Sequence, residues 1–419
     1  MRSQCNTEVA TPIRPDSMQS ESLPFAAEIY TDFADQRLDP TAWDQAVAAL
    51  DGPIYMTFDW LRTWWEFYGR GKKLRLFLFR NEHQIAALLP FYLEDFGVRP
   101  FRTRVARLVG ANIPPKTFNP PVDPYWSSKV FASVLNRLFR DECCDLLSLG
   151  PVSERWTSAS SFQAACANAS ELFSAADFQV RDVQTWFRLP ATYEAYLENL
   201  SSSERKSRMK RLRHLEKNHQ VSSDVISDLG KAEEDFDGFA RQHARQWQAV
   251  GKPGHFAAWP QGEAYNRALV KAQAQHGRVR FFRMLVDGQV VSNRYTFLLG
   301  NTLYSELPAR EVGEPWDKLG IGGISLLKFN ESAIQAGIAS VDSGLGGYEH
   351  KLALGGDQIP VGTWRVFGQG IRGVKARVFL MFAKAVIISC EKLWYRRVLP
   401  SIPRWKKRAQ SLQWLRYDV

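Results

Sequence analysis

Cysteine is scarce in this 419-residue chain, with five in all, at Cys5, Cys143, Cys144, Cys166 and Cys390. No C-x-x-C pair occurs and no histidine stands at metal-ligand spacing from any of them, so neither a disulfide framework nor a zinc site is expected. Histidine is nearly as rare, with seven. His243 and His255 lie near Trp247, but neither stands beside a Cys or Ser in a nucleophile arrangement, which argues against a hydrolase triad. His83 falls in a turn, where exposure is ordinary. Long apolar runs are also missing. The stretch MRSQCNTEVATPIRPDSMQSES has no apolar core of the kind a secretory signal or anchor needs. The run VFLMFAKAVIISC, Val378 to Cys390, is too short to span a bilayer and is interrupted by Lys384. These absences make the reducing cytoplasm the expected compartment.

The apolar content of 45% is that of a globular protein, and the length suits two domains with extensions. A net charge of +10 suggests an anionic partner until it is mapped along the chain. From Trp364 to Val419 there are thirteen Lys or Arg against two acids, which leaves the rest of the chain at −1. Basicity therefore belongs to the tail, and with no groove-reading motif present a DNA-binding protein is not expected.

Residues 1–39 alternate Ser, Thr, Pro and charge without a period and read as a disordered leader. A helix capped by Asp39 or Thr41 is expected to run through Leu50. A second carries the stripe Phe58, Trp60, Leu61, Trp64, Trp65, Tyr68 and stops at Gly69, with spacing that suits core packing. Two segments 205 positions apart then resemble each other. LRLFLFRNEHQIAALLPFY from Leu74 lies over VRFFRMLVDGQVVSNRYTF from Val279, pairing Arg75 with Arg280, Phe77 with Phe282 and Gln84 with Gln289. Each reads as a hairpin, the second turning on Asp287-Gly288. A strand (Val105 to Val109; Thr302 to Leu307), a helix (Ser127 to Arg140; Leu319 to Ala336) and another strand (Asp145 to Leu149; Ser340 to Ser343) follow each. A repeat of this length indicates a duplicated domain.

Between the copies, Ser201 and Glu204 form a capping box ahead of Arg205, Lys206, Arg208, Lys210, Arg211, Arg213 and Lys217, with only Met209, Leu212 and Leu215 as an apolar stripe. This helix is either a solvated surface or a positive face for the phosphates of a cofactor or of RNA. On the strand from Thr302, Tyr304 and Glu306 share a face by alternation. The run Asp317-Lys318-Leu319-Gly320-Ile321-Gly322-Gly323 then opens a helix. Glycines there admit a ligand to free N–H groups backed by the helix dipole, which suits a pyrophosphate. The run is neither a Walker loop nor a dinucleotide fingerprint. In the first copy Asp123-Pro124-Tyr125-Trp126 precedes the helix and offers no glycine.

The hairpin, the strand and the turn D-x-x-G-x-G resemble the acyl-CoA-binding core of the GNAT superfamily, whose signature is Q/R-x-x-G-x-G/A, with Asp317 where the family has Gln or Arg. From roughly Pro53 to Gly356 the chain resembles the CelD-type acetyltransferases associated with bacterial cellulose and exopolysaccharide biosynthesis, which are similar to the tandem-GNAT FemAB-type transferases. The residues carrying this are FDWLRTWWEFYG, SSSERKSRMKRLRHLEK, ARQWQAVGKPGHF and VDSGLGGYEHKLALGG, where His350-Lys351 and Gly355 fit Y-K-x-x-W-G with His for Tyr and Leu for Trp. The resemblance implies a mixed α/β (α+β) fold of two tandem GNAT-like domains. A degenerate one over 40–190 walls the acceptor cleft, one over 191–363 carries the chemistry, and 364–419 is a basic tail. It also implies acetyl-CoA or another acyl-CoA as co-substrate and an amine or hydroxyl acceptor, small molecule or saccharide. The alternatives are an aminoacyl-tRNA-dependent FemAB-type transferase or a non-catalytic adaptor of a polysaccharide-synthesising assembly.

On that reading Lys318, Gly320, Ile321, Gly322 and Gly323 hold the donor. Glu306 is the candidate general base, or else an ion-pair partner of Arg294 or Arg310. Tyr304 or Tyr348 protonates the thiolate, and Arg205, Arg208, Trp247, Asn293 and Lys351 are candidates for substrate binding, with Lys351 alternatively capping its own segment. Trp394, Arg396, Arg397, Trp405, Lys406, Lys407, Arg408, Trp414 and Arg416 suit a helix at an anionic membrane surface or on a partner protein, and a peripheral position on the inner membrane follows from the first.

Overall fold

The structure is a computed structural model and describes residues 27–389, apart from positions 83, 99, 101, 112, 115, 253 and 258, together with 397. The first run of elements is β1 (Glu28–Tyr30), α1 (Pro40–Ala49), α2 (Phe58–Tyr68), β2 (Lys73–Asn81), β3 (Gln84–Phe96), β4 (Thr103–Leu108), α3 (Ser127–Asn136), β5 (Leu146–Ser153), α4 (Ala159–Asn168) and β6 (Phe173–Arg188). The second begins with α5 (Tyr193–Asn199), α6 (Ser202–Asn218), β7 (Val221–Ile226), α7 (Ala232–Ala249), α8 (Gly262–Ala274), β8 (Val279–Val286) and β9 (Gln289–Leu299). It ends with β10 (Thr302–Arg310), α9 (Trp316–Leu319), α10 (Ile321–Gln335), β11 (Ser340–Leu345), α11 (Glu349–Leu352), β12 (Asp357–Gly368) and α12 (Ile371–Ser389).

Local signals account for the helix ends. The Asp39 carboxylate accepts from the N–H groups of Thr41 and Ala42, α2 stops on Gly69, and the Ser201 hydroxyl accepts from Glu204 N. The apolar stripe of α2 is core. Trp60 and Trp64 are each 1% exposed, and Trp60 meets Phe297 of β9 edge-on at 5.1 Å.

All twelve strands form one sheet, in the order β1-β2-β3-β4-β5-β12-β6-β11-β10-β9-β8-β7. Adding six to every strand of one half returns the other half in mirror order, so the duplication is visible in the topology. Its registers match too. The hairpin β2–β3 bulges at Phe79/Arg80 and β8–β9 bulges at Met284/Leu285, the same 205-residue offset seen in the sequence. The parallel ladder of Val105–Arg107 on Leu146–Ser148 is repeated by Thr302–Tyr304 on Ser340–Asp342. The centre holds an exchange that no local pattern announces. Each half lends its last strand to the other, so β12 pairs with β5 and β6 pairs with β11, while β6 and β12 pair with each other.

Several expected boundaries move. Residues 27–39, assigned to the leader, are described and contain β1, which pairs with β2. The boundary at 363/364 cuts β12, because Trp364, Val366 and Phe367 are buried in the sheet. The first-copy helix ends at Asn136 in a π-turn, Arg137–Asp141. The glycine-turn helix begins at Ile321, since Gly320 at φ +67° separates it from α9. His83, Cys5, Cys390 and the tail from Trp394, apart from Arg397, lie outside the described residues.

Candidate active site

The site grows from a split in the sheet. β10 and β11 are paired in parallel only from Thr302 to Tyr304, and beyond that point they part. On its other side β10 pairs with β9, with Ser305 opposite Thr296 and Leu307 opposite Tyr295, so Glu306 is the extra residue of a bulge. A bulge re-aims its side chain. The corresponding β3–β4 ladder of the first half runs without one.

The Glu306 side chain is 5% exposed, and its Oε2 is in contact with Lys116 Nζ, brought from the first half. Its other oxygen, Oε1, is buried without a hydrogen-bond partner within normal distance among the described residues, although the Tyr55 hydroxyl is near enough to the carboxylate for a weak hydrogen bond to contribute to the rise of the tyrosine. The cations offered by the sequence are engaged elsewhere. Arg294 donates to the Ser305 hydroxyl at 3.1 Å and Arg310 pairs with Asp317 at 2.6 Å. Tyr304 is buried and meets Tyr55 edge-on at 5.4 Å. Burial, then the Asp342 and Glu306 charges, raise the Tyr55 hydroxyl well above its usual range, and burial and Asp342 do the same to Tyr304.

Asp342, at the end of the parallel ladder, accepts from Gln184 Nε2 and from Gly344 N, each at 2.8 Å. Burial pushes its carboxyl up to about 6, against those hydrogen bonds and Lys116, with Glu306 adding to the rise. The folded chain therefore keeps a proton that an unfolded Asp releases near 3.8. The stability this brings is full below the unfolded value and is lost as pH rises through the folded one, about 3 kcal/mol in all. Asp342→Asn is expected to flatten the fall in melting temperature between pH 4 and 7. A variant whose slope matches the parent would show that Asp342 titrates normally.

The glycine turn faces cations. Gly323 N and Ile324 N close back onto the Gly320 carbonyl at 3.0 and 3.3 Å, and among the described residues no loop or side-chain acceptor meets the N–H groups of Ile321 and Gly322, which belong to the first turn of α10, where helix donors go unpaired. Helix α6 lies across them, packing Leu212 and Leu215 into the same core as Ile321, Ile324 and Leu327. A Cβ on Gly323 would fall 2.1 Å from Arg208 Nη1, and one on Gly320 would fall 2.5 Å from Arg211 Nη1. The glycines are thus what admits two guanidinium groups to the turn. Arg208 is braced by Glu204 at 2.9 Å, and Arg211 has no hydrogen bond or ion pair among the described residues. Asp317 accepts from Gly313 N as well as Arg310, so it shapes the loop while the basic helix brings the charge.

The remaining candidates sort around this centre. Lys351 donates to the carbonyl of Ser343, within β11, at 2.7 Å, and burial followed by Arg294 lowers its amine to about 8. Its neighbour His350 is lowered by burial and by the charges of Lys351, Arg294 and Arg208, which ties this loop to the glycine turn. Tyr348 is 58% exposed on the same loop. Lys318 is exposed, and Arg205 lies half-buried on α6. Asn293 is buried on β9 with Oδ1 unpartnered among the described residues, and Trp247 sits on α7 against His243 and His255. Sequence reasoning missed Lys116, Asp342 and Tyr55 as site residues. Asp342 lay inside a quoted motif, but nothing local connects Lys116 to a carboxylate 190 positions away.

The architecture is that of a tandem GNAT-like fold, a mixed α/β sheet in which each half repeats hairpin, strand, helix and parallel strand. Residues 202–352 match the family model described as an acetyltransferase (GNAT) domain. Among solved structures the chain is similar to FemX, at 10% identity and a TM-score of 0.56, over 79% of this chain and 96% of that one. Looser likenesses are to L-PGS from Bacillus licheniformis (10% identity, TM-score 0.48, 81% of this chain and 96% of that one) and to a tandem GNAT protein from the clavulanic acid biosynthesis pathway (12%, 0.40, 82% and 100%). No curated protein matches the sequence.

Proposed function

We propose that this chain transfers an acyl group from an acyl-CoA to an amine or hydroxyl acceptor held between its two halves. The observation that carries the reading is the meeting of free N–H groups at Ile321 and Gly322 with Arg208 and Arg211, beside a sheet split that presents Glu306. Backbone donors, a helix dipole and guanidinium forks are the chemistry a diphosphate needs. From there the split between β10 and β11 leads to Glu306, whose unpartnered Oε1 takes the acceptor's proton as it attacks the thioester carbonyl. Lys116 holds the other oxygen. Of the two tyrosines, Tyr348 is the better placed to protonate the leaving thiolate, because Tyr304 is buried and holds its proton. Asn293 shares the face of Tyr295, which Glu306 influences, and so borders the acceptor. The resemblance to CelD-type proteins makes a saccharide or other small envelope precursor the acceptor we infer. Coenzyme A, acetyl-CoA and longer acyl-CoAs are expected to raise the melting temperature by mass action. A flat response to all of them would overturn this donor assignment.

A second reading is favoured by the outer face of α6, where Lys206, Lys210, Arg211, Arg213 and Lys217 are exposed beside the turn. An aminoacyl-tRNA donor would use that face for its backbone phosphates. Stabilisation by tRNA, steeply weakened by salt and absent with coenzyme A, would select it.

We also propose that the C-terminal region docks on an anionic membrane surface. Helix α12 packs Gly373, Ala376 and Ala383 on the body and leaves Ile371, Val374, Val378, Met381 and Phe382 exposed, the last two at 72% and 69%. No described helix is long and apolar enough to cross a bilayer. An outward apolar stripe continued by a cationic, Trp-bearing sequence suits the interface instead. Met381→Glu with Phe382→Glu is expected to abolish flotation with phosphatidylglycerol vesicles. Equal flotation with neutral phosphatidylcholine vesicles, or flotation that survives the substitutions, would count against the surface.

A further inference from the structure

Arg294 is a buried cation that acyl transfer as described above leaves unused. It lies on β9 at 7% exposure, and a guanidinium so buried ordinarily sits against a carboxylate. No carboxylate among the described residues pairs with it. Nη1 donates to the Ser305 hydroxyl at 3.1 Å, Nε is buried with no partner, and the guanidinium carbon lies 4.9 Å from the centre of the Phe329 ring on α10. A hydroxyl and a ring face are neutral, so the charge has no counter-ion among the described residues.

The guanidinium stands at the split in the sheet. The parallel ladder of β10 on β11 ends at Tyr304 and Asp342, and Ser305 is the next residue of β10. Leu303 packs in the cluster of Ile324 and Phe329 while Tyr304 packs in the cluster of Tyr55, so alternation turns Ser305, with Arg294, to the α10 face. Glu306, the bulge residue, meets Lys116 of the first half instead. On the other lip Ser343 is the next residue of β11, and its carbonyl accepts from Lys351, a second cation with no ion pair among the described residues. The charge of Arg294 contributes to the lowering of that amine. Between the lips there is room. A Cβ on Gly344 would meet, apart from its chain neighbours, only the Ser305 carbonyl oxygen, at 4.0 Å.

We propose, resting on the acyl-transfer reading, that Arg294 binds a carboxylate on the acyl group itself, so that the donor is the coenzyme A thioester of a dicarboxylic acid. The diphosphate belongs to the first turn of α10 and the acceptor to the side of Glu306, which leaves the transferred group as the part that lies between the lips beside Ser305. A carboxylate on the α10 face supplies the missing counter-charge. With Nη1 given to Ser305, the guanidinium still offers Nε and Nη2, the edge that holds a carboxylate by two parallel hydrogen bonds. The bond changes are those of any acyl transfer. The C–S bond breaks as the acceptor's N–C or O–C bond forms, the acceptor's proton goes to Glu306, the thiolate takes one from Tyr348, and the product keeps the free carboxylate.

Matched thioesters test this by calorimetry, with no acceptor needed. Succinyl-CoA and butyryl-CoA differ only in carrying a carboxylate or a methyl at the chain end, as do malonyl-CoA and propionyl-CoA. In at least one pair the charged member is expected to bind about 10-fold more tightly, or better, than its neutral match. Arg294→Met is expected to abolish that preference while free coenzyme A binds as before. Arg294→Gln, which keeps a donor for Ser305 but no charge, gives the same comparison if the methionine variant folds poorly. Equal affinities within both pairs, or a preference that survives loss of the guanidinium, would overturn the carboxylate assignment and leave acyl transfer standing. A variant that loses free coenzyme A as much as succinyl-CoA would place Arg294 on the diphosphate, which overturns it too. A wild-type protein that binds neither coenzyme A nor any of the four thioesters would refute the acyl-transfer reading itself.

Discussion

Glu306→Gln is expected to lower the rate of acyl transfer by about 10²–10⁴-fold while donor affinity stays as it was. The amide keeps the shape of the bulge but has no basicity at Oε1, the oxygen that lies buried and unpartnered. Because the other oxygen touches Lys116, the substitution also leaves a nearly buried ammonium without its counter-charge. Breaking such a pair costs about 3–5 kcal/mol, so the melting temperature should fall as well. The two effects can be separated. Adding Lys116→Met removes the orphaned charge and is expected to recover stability but not turnover. Should Glu306→Gln turn over at the parent rate, the carboxylate is structural, and the base must be sought elsewhere in the split.

Arg208→Glu combined with Arg211→Glu should weaken donor binding by a factor of 10² or more. A hydrogen bond to a charged group contributes roughly 1.5–3 kcal/mol, and reversal adds repulsion at a turn whose free N–H groups Ile321 and Gly322 were arranged for an anion. The loss belongs in KM for the donor, with kcat at saturation nearly intact, and in the ligand-induced rise in melting temperature. A companion substitution makes the point in the opposite direction. Gly323→Ala improves helix propensity by up to about 1 kcal/mol, yet its methyl group would displace Arg208, whose Nη1 lies 2.1 Å from where the Cβ must go. The expected variant melts no lower than the parent and binds coenzyme A less well. If both the double reversal and Gly323→Ala left coenzyme A binding unaltered, the diphosphate would have to lie elsewhere.

Much of this molecule was legible before folding because its signals are local. Asp39 and Gly69 bound their helices through their own hydrogen bonds and conformations. The 205-residue offset carried the two hairpins, whereas their bulges and the left-handed Gly320 that sets the start of α10 at Ile321 instead of Leu319 appeared only in the structure. Alternation put Tyr304 and Glu306 on one face of a strand. It did not foresee that a bulge at Glu306 would turn that side chain, since a bulge is a property of the ladder with β9.

What the amino-acid order determined alone is the duplication, the helix that starts on glycines and the basic helix ahead of it, because period, capping and composition act over a few residues. Only the tertiary structure decided that β6 and β12 change places, that Lys116 of one half meets Glu306 of the other, and that Arg208 and Arg211 lie over Gly323 and Gly320. Those juxtapositions depend on sheet order and helix packing across about a hundred residues or more, and charge carries no address over such a distance until the chain has closed around it.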